Sequence, residues 1–106
     1  MKRIIKLQED VSIKQILKDY EIAIYNNILN SVKENFRKSE ISEINVVNIT
    51  TQSVNYTINL SKDKFIKWLN KCISFFESLE EYEKCQECVN IIHEIENNEN
   101  KKHLTY

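Results

Sequence analysis

Residues 44–61, INVVNITTQSVNYTINLS, carry no charged side chain and are dominated by Val, Ile, Thr, Asn and Tyr. In residues 54–60, apolar and polar side chains alternate strictly, which is the period of a half-buried strand. The apolar members of this alternation are Val54, Tyr56, Ile58 and Leu60.

Residues 44–50 predict a second strand, whose apolar residues switch faces at Val46-Val47. That switch indicates a bulge or burial on both sides of the strand. A short loop at Thr51–Ser53 closes the predicted hairpin. An uncharged hairpin of this kind is a pairing surface for another chain unless it is covered.

The chain before the hairpin predicts one long helix. Ser12 and Gln15 form a capping box, so we expect the helix to begin there and to continue to about Lys38. The apolar residues shift to a different face of the helix along its length. A break near residues 21–27 is therefore the alternative to one continuous helix. Residues 2–7, KRIIKL, predict a short strand that would add a third member to the sheet.

The chain after the hairpin predicts two helices that pack as an antiparallel αα-hairpin. Ser61 is a suitable N-cap for the first helix, and a second capping box, Ser78 with Glu81, predicts that the next helix begins at residue 79. The predicted apolar face of that last helix comprises Tyr82, Cys85, Cys88, Val89, Ile92 and Ile95. We expect its acidic residues, Glu80, Glu83, Glu87 and Glu94, to face solvent.

These segments define an α+β protein with a long N-terminal helix, an antiparallel sheet of two or three strands and a C-terminal helical hairpin. At 106 residues the chain is long enough for one core. We assign residues 1–96 to a single domain. Helical periodicity ends near Asn97, so we predict a flexible tail over residues 97–106.

The absence of Gly and Pro excludes several functional classes. Average usage would place roughly a dozen of these residues in a chain of this length. Phosphate-binding loops and dinucleotide-binding motifs need Gly where the backbone approaches the ligand. Nucleophile elbows and EF-hand loops also need Gly in strained turns, so the sequence predicts none of these sites.

Three cysteines are candidates for a metal or redox site. Cys85 and Cys88 have the spacing of a ligand pair, but a structural zinc site needs about four ligands and only one such pair is present. His93 lies about 140° around a straight helix from Cys88. We therefore expect both cysteines to pack in the core as reduced thiols, and we predict no metal, no cofactor and no catalytic residue.

Two features are candidates for partner binding: the hairpin residue Tyr56 and a stripe of lysines, Lys64, Lys67 and Lys71. Such a stripe could contact phosphates, while the hairpin contacted bases. A formal net charge of −1 and a scarcity of Arg count against nucleic acid. An exposed apolar patch at Tyr56 or Trp68 would instead favour a protein partner.

Residues 76–92, FESLEEYEKCQECVNII, resemble the helical hairpin motif of the UvrB/UvrC repair proteins. The resemblance is carried by Tyr82, Glu83, Lys84, Cys85, Glu87 and Cys88. The sequence departs from that motif at Val89-Asn90, where the family carries Arg-Asp. The resemblance implies a helical hairpin, which in that family mediates protein–protein pairing.

The residue 59–88 stretch, NLSKDKFIKWLNKCISFFESLEEYEKCQEC, and the richness in Ile, Asn and Lys are similar to small proteins of Bacteroidetes-type bacteria and their phages. That resemblance implies a virion component, a host-takeover factor or an inhibitor of a host defence enzyme, each of which works by binding. It also implies a location in the host cytoplasm or the virion.

The function predicted from the sequence is that of a small, non-enzymatic protein–protein interaction module in the cytoplasm. The alternative is a nucleic-acid-binding accessory protein that uses the lysine stripe. We expect no membrane partner, because no apolar run has the length of a membrane span. The uncharged edge leaves a homodimer and a monomer equally open.

Overall fold

The computed structural model describes residues 4–6, 13–50, 52 and 55–104. Its fold is α+β, as predicted, and its buried residues form one cluster. In chain order the elements are β1 (Ile4–Lys6), α1 (Ile13–Asp19), α2 (Glu21–Asn35), β2 (Glu43–Thr50), β3 (Asn55–Ser61), α3 (Phe65–Ser78) and α4 (Tyr82–Leu104).

The sheet has three strands in the order β1-β2-β3, so β2 is central. Strands β2 and β3 form the predicted antiparallel hairpin, although most of its predicted loop lies outside the described residues. The prediction of an antiparallel third strand is wrong, because β1 pairs parallel to β2, with Ile5 opposite Ile49. The two helices between β1 and β2 supply the long connection that parallel pairing needs.

A β-bulge in β2 confirms the irregularity predicted at Val46-Val47. Asn45 lies opposite Asn59 and Val47 opposite Ile58, so Val46 is an extra residue without a partner on β3. The bulge returns Val47 to the inner face of the sheet, and both valines are fully buried. The inner face then carries Ile44, Val47, Ile49, Tyr56, Ile58 and Leu60, while the outer face carries Asn45, Asn48, Thr50, Asn55, Thr57 and Asn59.

The long N-terminal helix that we predicted is interrupted at Tyr20, between α1 and α2. Tyr20 has φ −113° and ψ 23°, outside the helical range, yet its carbonyl still accepts a hydrogen bond from the Ile24 amide at 2.9 Å. The break is one residue long and precedes the predicted alternative at residues 21–27.

The core lies between the inner face of the sheet and the three helices α2, α3 and α4. Helix α2 packs against β2 and α3, and α3 packs against α4. The largest fully buried side chains come from all of these elements; they are Val32, Val46, Val47, Ile49, Phe65, Leu69, Cys72, Phe76 and Cys88.

The two C-terminal helices pack together, as predicted, but their ends differ from the prediction. Ser61 forms no side-chain cap, because a 3₁₀ turn over Lys62–Lys64 separates it from α3. Ser78 is the last residue of α3 and its hydroxyl donates to the Phe75 carbonyl at 2.6 Å. The capping box predicted at Ser78 is therefore wrong, and α4 begins at Tyr82 rather than at residue 79.

A C-terminal capping motif makes the turn between α3 and α4. The Glu81 amide donates to the Phe76 carbonyl at 2.9 Å, and the Glu80 amide donates to the Glu77 carbonyl at 3.0 Å. This pattern is the Schellman motif, which usually places Gly at the left-handed position. Here Glu80 occupies that position with φ 60°, because the chain has no Gly.

Helix α4 differs from its prediction at both ends. Tyr82 is 63% exposed, although we placed it on the apolar face, whereas Ile91 is buried and was not predicted. The prediction that helical structure ends near Asn97 is also wrong, because α4 continues to Leu104. None of the helices in the described part of the chain is long and apolar enough to cross a membrane.

Acidic residues of α4 attach this helix to α2, so they do not simply face solvent as predicted. Glu94 accepts two hydrogen bonds from Arg37, at 2.5 Å from Nε and 2.8 Å from an Nη atom. Glu87 pairs with Lys33 at 3.1 Å. The hydrogen bonds from Arg37, more than its charge, lower the pKa of Glu94 below its ordinary value of 4.5.

We predict that Glu80→Gly stabilises the protein by about 0.5–1 kcal/mol, because Gly adopts a left-handed conformation without the steric cost that a Cβ atom imposes. Urea unfolding measures the change. The matched control is Glu83→Gly in the first turn of α4, which should destabilise by about 1 kcal/mol because Gly is a poor helix former. Equal effects of the two substitutions would contradict the left-handed assignment.

We predict that Arg37→Gln lowers the free energy of unfolding at pH 7 and that the difference from the wild type becomes smaller in acid. A carboxylate whose folded pKa is depressed stabilises the fold above its unfolded pKa, and that contribution is lost as the pH falls through the folded value. The difference should therefore decline below about pH 4.5. Urea unfolding at pH 7 and in acid tests this, with Glu96→Gln as an exposed control. A difference that stays constant with pH would argue against the ion pair.

Candidate functional site

A mainly apolar groove lies between α2, β3 and α3, and we call it the β3 groove. It encloses a volume of about 430 Å³. Its lining is mainly apolar and consists of Glu21, Ile24, Tyr25, Ile28, Tyr56, Thr57, Ile58, Asn59 and Trp68.

The groove exists because α2 packs against β2 and none of the helices α2, α3 and α4 packs extensively against β3. Helix α2 also packs against α3. The inner side chains of β3 therefore lack a complete cover. Tyr56 and Ile58 are half-buried, although they point to the same side of the sheet as the buried Ile49 and Val47.

The outer edge of β3 is unpaired in the part of the chain that the structure describes, because β3 pairs with β2 alone. An edge strand presents backbone amides and carbonyls that can pair with another strand. Charged side chains and Pro are the usual protection of such edges, and residues 55–61 contain neither. An available strand edge and an apolar groove thus lie side by side.

Two tyrosines contribute to the groove in different ways. Tyr25 forms its floor and stacks on Phe75 with ring centroids 4.3 Å apart. Burial raises the pKa of Tyr25, and the nearby Glu21 adds to the increase. Tyr56 lies on the β3 side, and both tyrosines are half-buried.

Trp68 forms the α3 wall of the groove, and lysines flank it. The Lys71 ammonium lies 4.6 Å from the centroid of the Trp68 ring, which is a cation–π arrangement. Lys64 precedes Trp68 by four residues and Lys71 follows it by three, so both belong to the same side of the helix. Lys64, Lys67 and Lys71 are exposed, and none of them forms an ion pair with another described residue.

Two shallower depressions adjoin the groove. One encloses about 520 Å³, shares Glu21 and Tyr25 with the groove and is lined on the α3 side by Lys71 and Ser74, among others. The other encloses about 490 Å³ and includes Ile22 and Leu79, two exposed apolar side chains. Neither depression contains a residue of β3, so neither combines an apolar surface with a strand edge.

The cysteines lie where α3 meets α4. Cys72 and Cys88 are both 0% exposed, and a hydrogen bond between their thiols, together with burial, raises the pKa of Cys72 well above its ordinary range. Cys85 is half-buried, and its thiol lies 3.5 Å from the Ile73 carbonyl. Among the described residues, no three His, Cys, Asp or Glu side chains are grouped so that they could hold a metal ion.

Of the four residues selected from the sequence as candidates for partner binding, two lie at the groove and two do not. Tyr56 lines the groove, and Lys71 borders it through Trp68. Lys64 and Lys67 do not line it. Sequence reasoning missed Ile24, Ile28 and Tyr25, because a helical period does not reveal which apolar residues will lie beside an incompletely covered strand.

Comparison with protein-family models, curated proteins and solved structures finds no match to this chain. The two resemblances drawn from its sequence therefore remain predictions. Its function has to be inferred from the geometry of the groove and from the charges around it.

We predict that Cys85 is the first thiol to be alkylated in the folded protein and that Cys72 and Cys88 react only after unfolding. Burial excludes the reagent from both, and the raised pKa of Cys72 keeps it protonated. Iodoacetamide labelling followed by mass spectrometry, with and without urea, measures the order. Equal labelling of all three thiols in the native protein would contradict the buried pair.

Proposed function

We propose that this protein is a non-enzymatic interaction module that binds an extended segment of another protein along β3. The observation that carries the proposal is the adjacency of an unpaired strand edge and the β3 groove. In this mode of recognition, backbone hydrogen bonds supply affinity and pockets for alternate side chains supply specificity.

The spacing within the groove fits such an occupant. A strand added beside β3 would present every second side chain on the inner face of the sheet, where Tyr56 and Ile58 lie. Those inward side chains would contact apolar residues of α2 and α3 and would remove the exposed parts of Tyr56 and Trp68 from water. The favourable free energy of burying apolar surface would then add to that of the backbone pairing.

This proposal agrees with the roles implied by the resemblance to small phage proteins. A phage accessory protein, a virion component or an inhibitor of a host enzyme would need a binding surface and no catalytic centre. Binding would then take place in the host cytoplasm or in the virion.

A second candidate function is single-stranded nucleic-acid binding. The observation that favours it is Trp68, a half-buried aromatic ring flanked by Lys64 and Lys71, because such proteins combine a basic track with aromatic stacking. Glu21 on the opposite wall of the groove counts against a polyanion. A nuclease treatment distinguishes the two functions.

We predict that Tyr56→Glu abolishes partner capture and that Asn55→Glu preserves it. Both substitutions add one negative charge to β3, but Tyr56 lines the groove, whereas Asn55 lies on the outer face of the sheet and does not line the groove. The measurement is an affinity pull-down from lysate of the source cells, with and without nuclease, with quantitative mass spectrometry of the captured proteins.

The expected partner is captured at near-stoichiometric amounts, survives nuclease and is lost only with Tyr56→Glu. Far-UV circular dichroism and urea unfolding of both variants show that the fold is retained. A partner that depends on nucleic acid would favour the second candidate. A partner that binds Tyr56→Glu as well as it binds the wild type would place the binding site elsewhere.

A further inference from the structure

The charges around the β3 groove are unequal on its two walls. The α2 wall contributes one carboxylate, Glu21, while Lys64 directly precedes α3 and Lys67 and Lys71 lie on it. The three lysines are exposed and have no ion-pair partner among the described residues. The α3 side of the groove therefore carries more positive than negative charge.

Lys71 is held where a ligand in the groove could reach it. Its ammonium stays over the Trp68 ring at 4.6 Å from the centroid, and Trp68 itself lines the groove. Lys71 also lines the adjoining 520 Å³ depression, which continues from the groove through Glu21 and Tyr25. A chain that leaves the apolar groove along α3 would pass this ammonium.

We propose that the occupant of the β3 groove is an extended segment with apolar side chains at alternate positions, flanked by Asp or Glu that pairs with Lys71. This proposal rests on the proposed function and specifies the chemistry of its partner. Lys64 and Lys67 raise the positive potential along the same helix, which favours acidic flanks and accelerates association at low salt.

A second copy of this chain fits the groove less well. Residues 44–61, which include β3, contain no carboxylate, so pairing between two β3 strands would bring no acidic group from that hairpin to Lys71. An acidic segment from a different protein meets the requirements of both the groove and the lysines.

The test begins with a displayed library of random ten-residue peptides, selected on the full chain. A synthetic peptide of the selected consensus is then compared with a counterpart in which every Asp and Glu is replaced by Asn and Gln. Trp68 is the only tryptophan in the chain, so its intrinsic fluorescence reports occupancy of the groove without a label.

We expect the acidic peptide to bind more tightly than its neutral counterpart, by about 1.5- to 5-fold for each carboxylate that reaches a lysine at low salt. The preference should shrink at high ionic strength. Lys71→Glu should remove or reverse it. The matched control is Lys38→Glu, an exposed lysine beyond the end of α2 that lines neither the groove nor the two adjoining depressions, and it should leave the preference unchanged.

Failure of this proposal is distinguishable from failure of the proposed function. If acidic and neutral peptides bind equally and Tyr56→Glu abolishes both, the groove binds strands but the acidic partner is wrong. If no selected peptide depends on Tyr56, both proposals are wrong. Competition by a single-stranded oligonucleotide, or self-association of the chain that Tyr56→Glu abolishes, would replace the acidic segment with nucleic acid or a second copy and would overturn this inference.

Discussion

The extra residue Val46 in β2 determines which side of the hairpin faces the helices. With strict alternation from Ile44, Asn48 would point inward and Ile49 would face solvent. The bulge shifts the remainder of β2 by one residue, so the Ile49 side chain enters the core. The asparagine side chains of the hairpin then all lie on the outer face. The same shift pairs Val47 with Ile58 and Ile49 with Tyr56. It therefore aligns Tyr56 and Ile58, two of the β3 residues that line the groove, with the buried side chains of β2.

The helical layer adds the second condition for the site. Helix α4 is connected to α2 through Lys33–Glu87 and to the residues just after α2 through Arg37–Glu94, and α3 packs on both helices. Within this three-helix layer α2 packs on β2, and no helix packs extensively on β3, so the inner side of β3 is incompletely covered. A layer shifted towards β3 would bury Tyr56 and Ile58, and no groove would remain.

Local sequence patterns predicted the hairpin, its bulge and the two C-terminal helices, because each depends on periodicity or on a switch in periodicity. They failed where tertiary structure overrides local signals. The Ser78 capping box was a valid local pattern, but the backbone hydrogen bonds of a Schellman motif around Glu80 end α3 instead. Tyr56 and Trp68 could be selected as candidates from the sequence. Whether they lie next to Ile24 and Ile28 depends on how much of the sheet α2 covers, and no local pattern encodes that.

In the proposed binding mode, the absence of charge on β3 and the lysines near it are complementary parts of one recognition surface. An uncharged, unprotected edge is open to any strand and is an aggregation risk. Specificity requires a feature that disfavours the wrong strands as well as one that attracts the right strand. Lys64, Lys67 and Lys71 supply that feature outside the edge itself, because they repel basic segments and attract acidic ones without interrupting the backbone pairing surface. The lysine stripe and the neutral hairpin, which first suggested two different functions, thus support a single one.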